Sequence, residues 1–149
     1  MNGQGIIEII FEKLNKYPDI KFQKNSDSEL EIYSRDKSGF DILIQVGQRE
    51  NTLHFGTFHW HFDNSREETN DMLNQLVLGL TGIARIKEYS KKNKSYKWTL
   101  QMQDRDGNWY DNGTMGLLSI NFWTQTEIKY LQNDLLPKEL LYEEIDKKD

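Results

Sequence analysis

Short connections between the extended segments of the first half of the chain constrain its fold more than any other feature. Alternating apolar residues predict strands at residues 20–24, 30–33, 40–46 and 52–62. The stretches between them are short and rich in Asn, Asp, Ser and Gly, which are typical turn residues. A parallel pair needs a crossover of about a dozen residues or more, so these strands are expected to pair as an antiparallel meander.

Two other segments have the periodicity of amphipathic helices. Residues 4–16 carry apolar side chains at helical spacing, and the pattern ends at Tyr17-Pro18 because the residue before a proline avoids helical geometry. A second helix is predicted after Ser65, where Ser65 and Glu68 form a capping box and Gly82 is the expected C-cap. Its apolar stripe consists of Met72, Leu73, Leu76, Val77 and Leu80.

The second half of the chain predicts more strands. A long alternating strand carries Trp98, Leu100 and Met102 on one face, which is expected to pack against the stripe of the second helix. Asp106-Gly107 predicts a hairpin turn, and the strand that returns from Trp109 is expected to break at residues 111–113. The other strands are predicted at residues 83–89, 117–123 and 128–131.

These elements predict an α+β fold: a mostly antiparallel, bent β-sheet with two α-helices packed against it. The 149 residues fit a single α+β domain, 1–149, in which residues 136–149 form a charged tail that is a short helix or frayed.

Charge and composition exclude several classes of function. The net charge of −5 disfavours a generic nucleic-acid binder, because neutralising phosphates needs surplus Lys and Arg. The chain has no cysteine, and it shows neither a membrane-spanning run nor a signal peptide. We therefore expect a cytoplasmic protein without a membrane partner, and the sequence does not predict its oligomeric state.

The densest run of aromatic and titratable residues is Thr57–Ser65, which reads as the end of a strand leading into the second helix. Its aromatic residues alternate on one face, and His59, His61 and Asp63 alternate on the other. The apolar residues before Gly56 have the opposite parity, so we infer a β-bulge at Gly56, with a tight turn as the competing explanation.

Two imidazoles and a carboxylate on one side of a strand are ligands that suit zinc or ferrous iron, so His59, His61 and Asp63 are candidate metal ligands. The alternative, which we favour, is structural. In that interpretation the histidines form cross-strand hydrogen bonds and Asp63 helps to cap the helix, so that no cofactor is expected. His59 and His61 could also act in acid–base chemistry.

The run Phe58-His59-Trp60-His61-Phe62-Asp63 resembles the aromatic-His-x-His-Phe-Asp motif of an uncharacterised family of small bacterial proteins. Further segments fit the family's pattern in the same order: Tyr96-Lys97-Trp98-Thr99-Leu100, Gly116-Leu117-Leu118, Phe122-Trp123 and Tyr130-Leu131-Gln132-Asn133. This chain has Phe58 where the family usually has Trp, and Trp60 where it usually has Glu. The resemblance implies a bacterial origin and a shared fold, and no known activity.

A basic hairpin in the second half has two interpretations. It carries Arg85, Lys87, Lys91, Lys92, Lys94 and Lys97. The hairpin could be a patch for an acidic partner or a single-stranded nucleic acid. Alternatively it is a solvated hairpin whose lysines discourage edge pairing, and we favour this second interpretation because the chain as a whole is acidic.

The function that we predict is a small, non-catalytic protein-binding module. An immunity or antitoxin role is one concrete form of it, by analogy of size, acidity and aromatic content. The alternative is a metal-assisted hydrolase centred on His59, His61 and Asp63, so the sequence leaves open whether the protein is an enzyme.

Overall fold

The computed structural model of the protein describes residues 3–117 and 123–139. Its helices and strands are, in chain order, α1 (Gly3–Leu14), β1 (Phe22–Ser26), β2 (Glu29–Ile32), β3 (Ile42–Val46), β4 (Glu50–Phe55), β5 (Phe58–Asp63), α2 (Arg66–Thr81), β6 (Ala84–Lys91), β7 (Lys94–Gln103), β8 (Trp109–Gly116) and β9 (Glu127–Leu131). Most of the strand predicted at residues 117–123, and the predicted tail from residue 140, lie outside the described residues.

The strands form two antiparallel sheets. Sheet A is a meander in the order β1-β2-β3-β4-β5, and sheet B has the order β8-β7-β6-β9. The predicted α+β fold with two helices is confirmed. The strands divide between two sheets because α2 separates β5 from β6, and β6 then pairs with β7 and β9 instead of continuing sheet A. No helix in the described residues has the length and apolarity needed to cross a membrane.

The bulge inferred at Gly56 is wrong, and the tight turn is correct. β4 ends at Phe55 and β5 begins at Phe58, which leaves a two-residue turn. Gly56 has a φ of 61°, a conformation that favours glycine, as in hairpin turns with glycine at the first central position. Phe55 and Phe58 face each other across the hairpin, so both point into the core and the change of parity is explained.

A β-bulge lies in β8 instead. The strand continues through residues 111–113, where we predicted a break, and runs to Gly116. Thr99 pairs with Thr114, whereas Gln101 pairs with Asp111, so two residues of β8 oppose one residue of β7. Gly113 lies in this bulge with a φ of 120°. The turn-forming residues therefore bend the strand without ending it.

The ends of α2 follow the predicted capping chemistry. The Ser65 hydroxyl oxygen accepts a hydrogen bond from the backbone N–H of Glu68 at 3.2 Å, which satisfies one of the free donors of the first turn. Gly82 ends the helix in the left-handed conformation with a φ of 82°.

Both sheets and both helices share one apolar core. Trp98, Leu100 and Met102 are buried in the same cluster as Leu76 and Leu80, and Leu73 packs against that cluster, as predicted for this strand face. Val77 of the predicted stripe is not in the cluster. α2 lies close against β4, where Gly79 leaves room for the ring of Phe55. That ring also stacks on Phe40 at a centroid distance of 4.8 Å and meets Trp60 edge-on at 5.0 Å.

A short segment after β9 joins distant parts of the fold. The buried side chain of Asn133 accepts a hydrogen bond from the N–H of Phe40 at 3.0 Å and donates one to the Phe40 carbonyl oxygen at 2.9 Å. The Gln132 side chain donates to the Gly82 carbonyl oxygen at 2.7 Å. The backbone N–H of Leu135 donates to the Leu80 carbonyl oxygen at 2.9 Å. The segment thus satisfies carbonyl groups at the C-terminal end of α2.

Replacing Ser65 by Ala removes the cap of α2 and should lower the free energy of unfolding by about 1 kcal/mol. Chemical denaturation measures the change. Ser65→Asp is the matched control, since aspartate caps helices as well as serine does. Equal midpoints for the wild-type protein and Ser65→Ala would contradict the contribution of the cap.

Replacing Gly79 by Ala should destabilise the protein, although alanine favours helices. The added Cβ would lie 2.4 Å from the Phe55 ring, which is enclosed by Phe40 and Trp60. Such overpacking costs roughly 1–3 kcal/mol. Thermal denaturation should show a lower midpoint for Gly79→Ala than for Asn74→Ala, an exposed position of the same helix. If the midpoint of Gly79→Ala is as high as that of Asn74→Ala, the Phe55 ring can move to accommodate the added methyl group, and the prediction is wrong.

Candidate functional site

The predicted histidine run lies on the outer face of sheet A. His59, His61 and Asp63 are exposed and point to one side of β5, as the alternation predicted, while Phe58 and Phe62 are buried on the other side. The register of the β4–β5 hairpin brings three β4 residues opposite them, and β2 and β3 extend the same face. We call this surface the histidine face; it consists of Glu29, Glu31, Gln45, Glu50, Thr52, His54, His59, His61 and Asp63.

The three imidazole rings are in contact. His54 stacks on His59 with the ring centroids 5.2 Å apart, and His59 meets His61 edge-on at 5.8 Å. Partial burial lowers the pKa of His54, and the positive charge that His59 and His61 acquire on protonation lowers it further. The cluster therefore favours a neutral His54.

Hydrogen bonds define the tautomer of His54. Its Nε2 atom lies 3.0 Å from Oε1 of Gln45, and the Gln45 amide nitrogen donates to the Glu29 carboxylate at 2.9 Å. An ionised carboxylate only accepts hydrogen bonds, so the amide of Gln45 must point its oxygen at His54. Neutral His54 therefore carries its proton on Nε2.

His59 and His61 have the opposite tautomer. Nδ1 of His59 lies 3.2 Å from the Thr57 carbonyl oxygen, which only accepts hydrogen bonds. Nδ1 of His61 lies 3.0 Å from the Thr52 hydroxyl, which can donate or accept. It also lies 3.3 Å from a carboxylate oxygen of Glu50, which only accepts. Both Nδ1 atoms therefore carry the proton, and the lone pair of each neutral ring is on Nε2.

Asp63 is the last residue of β5, and its carboxyl group also interacts with Glu68 in the first turn of α2. A hydrogen bond from the backbone of Asp63 lowers the pKa of Glu68, but desolvation and the carboxyl group of Asp63 outweigh it, so that the pKa of Glu68 is raised overall. Among the described residues, no three His, Asp or Glu side chains are grouped closely enough to hold a metal ion. The metal role of His59, His61 and Asp63 stays a prediction.

The sequence analysis did not include His54 and Glu50 in this site. Both join it through the register of β4 against β5, in which His54 lies opposite His59 and Glu50 lies opposite Asp63. A two-residue turn at Gly56 fixes this register, whereas the bulge that we inferred there would have kept β4 and β5 in one strand. Gly56 therefore contained the information that pairs β4 with β5, and we misinterpreted this glycine as a bulge.

A second polar surface lies on the outer face of sheet B. The guanidinium carbon of Arg85 lies 3.9 Å from the ring centroid of Trp109 and 4.2 Å from that of Tyr130. Its Nε donates to the Gln101 amide oxygen at 2.8 Å, and Gln101 donates in turn to Asp111 at 2.8 Å. Two rings and one hydrogen bond thus fix the plane of a charged group.

Two lysines of the same face lie close to the ring of one tyrosine. The ammonium nitrogens of Lys87 and Lys97 lie 5.2 Å and 4.6 Å from the ring centroid of Tyr89. A hydrogen bond with Tyr89 raises the pKa of Lys87, which favours its charged form. We call this surface the basic-aromatic face; it consists of Arg85, Lys87, Tyr89, Lys97, Trp109 and Tyr130.

The predicted basic hairpin is therefore divided into two parts. Lys92 and Asn93 have positive φ values of 52° and 64° and form the turn between β6 and β7, as the solvated-hairpin interpretation expects. Arg85, Lys87 and Lys97 lie on the sheet, next to aromatic rings. The contribution of Trp109 and Tyr130 was missed, because it depends on the pairing of distant strands.

Comparisons with protein-family models, curated proteins and solved structures find no match to this chain. The resemblance to the small bacterial family stays a prediction. The features of the molecule that bear on function are the histidine face and the basic-aromatic face.

Lowering the pH should destabilise the folded protein through His54. Its pKa is lower in the folded protein than the ordinary value of about 6.5, so the unfolded chain takes up this proton more readily. The contribution of His54 is present above about pH 6.5 and is lost as the pH falls through the lowered pKa. His59 and His61 oppose the protonation of His54, and Glu29 partly favours it.

Unfolding free energies of the wild-type protein and His54→Gln, measured between about pH 5 and pH 8, isolate this contribution. We expect the wild-type protein to lose more stability than the variant below about pH 6.5. Parallel pH profiles would contradict the lowered pKa.

Proposed function

We propose that this protein is a non-catalytic protein-binding module that binds an acidic segment of a partner through the basic-aromatic face. The observation that supports this proposal is the position of Arg85. Its guanidinium plane is fixed by Trp109 and Tyr130 before any partner arrives, so little conformational entropy is lost on binding. Among the described residues, no carboxylate forms an ion pair with Arg85.

The positive charge of this face favours an acidic partner. On the outer side of sheet B, Arg85, Lys87 and Lys97 outnumber the carboxylate of Asp111, although the whole chain has a net charge of −5. A guanidinium fork binds a carboxylate with two parallel hydrogen bonds, and ammonium groups beside it attract further negative charge. An acidic protein segment supplies both.

Aromatic area adds a second contribution to binding. The side chain of Tyr130 is 46% exposed and that of Ile128, its neighbour but one on β9, is 49% exposed. Interfaces are enriched in tyrosine, tryptophan and arginine, whose large or planar side chains bury much area for little lost freedom. The combination of fixed charge and exposed rings favours a macromolecular partner over a small metabolite.

Nucleic acid fits this face less well. Phosphate binding draws its strength from many Lys and Arg side chains, whereas this face offers only Arg85, Lys87 and Lys97, and the carboxylate of Asp111 lies beside them. The hydrolase alternative has no comparable support, because the described residues contain no group of three metal-binding side chains. An immunity or antitoxin role agrees with a binding module but is still carried only by analogy.

Binding of a fluorescein-labelled peptide of about ten glutamate residues tests the proposal by fluorescence anisotropy. We expect Arg85→Gln, and separately Lys87→Gln with Lys97→Gln, to weaken binding roughly tenfold, since each removes a charge-assisted contact. The double lysine variant keeps the test valid if Arg85→Gln fails to fold. Lys37→Gln is the matched control, because it removes one positive charge from an exposed turn of sheet A.

Two results would overturn the proposal. One is tighter binding of a thymidine oligonucleotide of about ten nucleotides than of the peptide at the same salt concentration, which would favour a nucleic-acid partner. The other is an equal loss of peptide binding in Lys37→Gln, which would mean that attraction is unspecific. Backbone NMR shifts that map outside the four strands of sheet B, β6, β7, β8 and β9, would have the same meaning.

A further inference from the structure

We propose that His59 and His61 together bind one divalent late transition-metal ion, such as Zn²⁺, Ni²⁺ or Cu²⁺, through their Nε2 atoms. The site would use two protein ligands and fill its other positions with water. It is independent of the basic-aromatic face, which lies on the other sheet, and it includes no catalytic step.

The tautomers are the first argument. Nδ1 of His59 donates to the Thr57 carbonyl oxygen, and Nδ1 of His61 faces Glu50 and Thr52. Each neutral ring therefore presents its lone pair at Nε2, since the polar contacts found for the two rings among the described residues are all made by Nδ1. A metal ion needs a neutral imidazole with a free lone pair, so both rings are prepared for ligation.

The position of the rings is the second argument. Residues i and i+2 of a strand project to the same side, and both side chains are exposed on β5, an edge strand of sheet A. Their ring centroids are 5.8 Å apart, and small rotations of two exposed side chains can bring both Nε2 atoms to about 2.0–2.1 Å from a zinc ion.

The carboxylate of Glu50 is the third argument. Ligating histidines usually donate their other N–H to a carboxylate or a backbone carbonyl, which orients the ring and raises its basicity. Nδ1 of His61 lies 3.3 Å from Oε1 of the Glu50 carboxylate, and Nδ1 of His59 lies 3.2 Å from the carbonyl oxygen of Thr57. Glu50 is therefore a positioning residue, and it replaces Asp63 as the carboxylate next to the imidazoles.

His54 does not belong to the ligand set. Its Nε2 atom carries a proton and donates it to Gln45, which Glu29 holds in place. It packs against His59 without presenting the same lone pair to the ion. This difference makes His54 a matched control, since it is a histidine of the same cluster and differs in its tautomer.

The preference among metals follows from the ligands. Imidazole nitrogen suits zinc, nickel and copper, whereas calcium and magnesium prefer oxygen ligands. Copper should bind more tightly than nickel or zinc, in the usual order of stability for nitrogen ligands. Magnesium should not compete.

Titration of the full chain with Zn²⁺ near neutral pH, followed by NMR of the histidine side chains, tests the site. We expect one equivalent of Zn²⁺ to shift the ring signals of His59 and His61. His59→Gln and His61→Gln should each weaken binding at least tenfold, and His54→Gln should retain it. Glu50→Gln should weaken binding by about tenfold, at the low end of what second ligand shells contribute.

Three outcomes would overturn the proposal: retention of zinc binding in His59→Gln, an equal loss of binding in His54→Gln, or saturation that Mg²⁺ reproduces. Nitrogen NMR of the metal-free protein provides a readout that does not depend on zinc. It should find the proton on Nδ1 of His59 and His61 and on Nε2 of His54. Any other assignment would remove the basis of the site.

Discussion

The close contact between Gly79 of α2 and the ring of Phe55 holds this fold together. It lets the helix lie directly on sheet A, so that its other buried residues reach the strands of sheet B. A side chain at position 79 would push the helix outward and open the core on both sides. One small residue therefore allows the close approach of α2 to sheet A inside the shared apolar interior.

Because that shared interior takes up the apolar face of each sheet, the outer faces are left for polar side chains. The two outer faces carry different chemistry: sheet A presents imidazoles and carboxylates, whereas sheet B presents cations beside aromatic rings. The net charge of −5 hides this separation, since it averages an acidic surface with a basic one. A partner that meets the protein responds to the local surface and not to the average.

Much of the fold could be predicted from local chemistry, including the antiparallel meander, both helices, the Ser65 cap and the face carrying Trp98. The errors lie at two glycines, because glycine is compatible with both a tight turn and a β-bulge. Gly56 makes a turn where we inferred a bulge, and Gly113 lies in a bulge where we predicted a break. The candidate site was predicted in part. His59 and His61 follow from alternation, and Glu50 follows from the register of a hairpin that turns at Gly56. The rings around Arg85 depend on the pairing of distant strands, which no local pattern defines.

The position of Asn133 late in the chain affects the order in which the fold can form during synthesis. Its side chain satisfies the backbone of Phe40 from 93 residues away, and its neighbours satisfy carbonyl groups at the end of α2. During synthesis, sheet A and α2 leave the ribosome while these groups still lack their partners. The Phe40 backbone and the carbonyl groups of Leu80 and Gly82 gain these partners only after residues 132–135 have been synthesised, so we expect this part of the fold to form late.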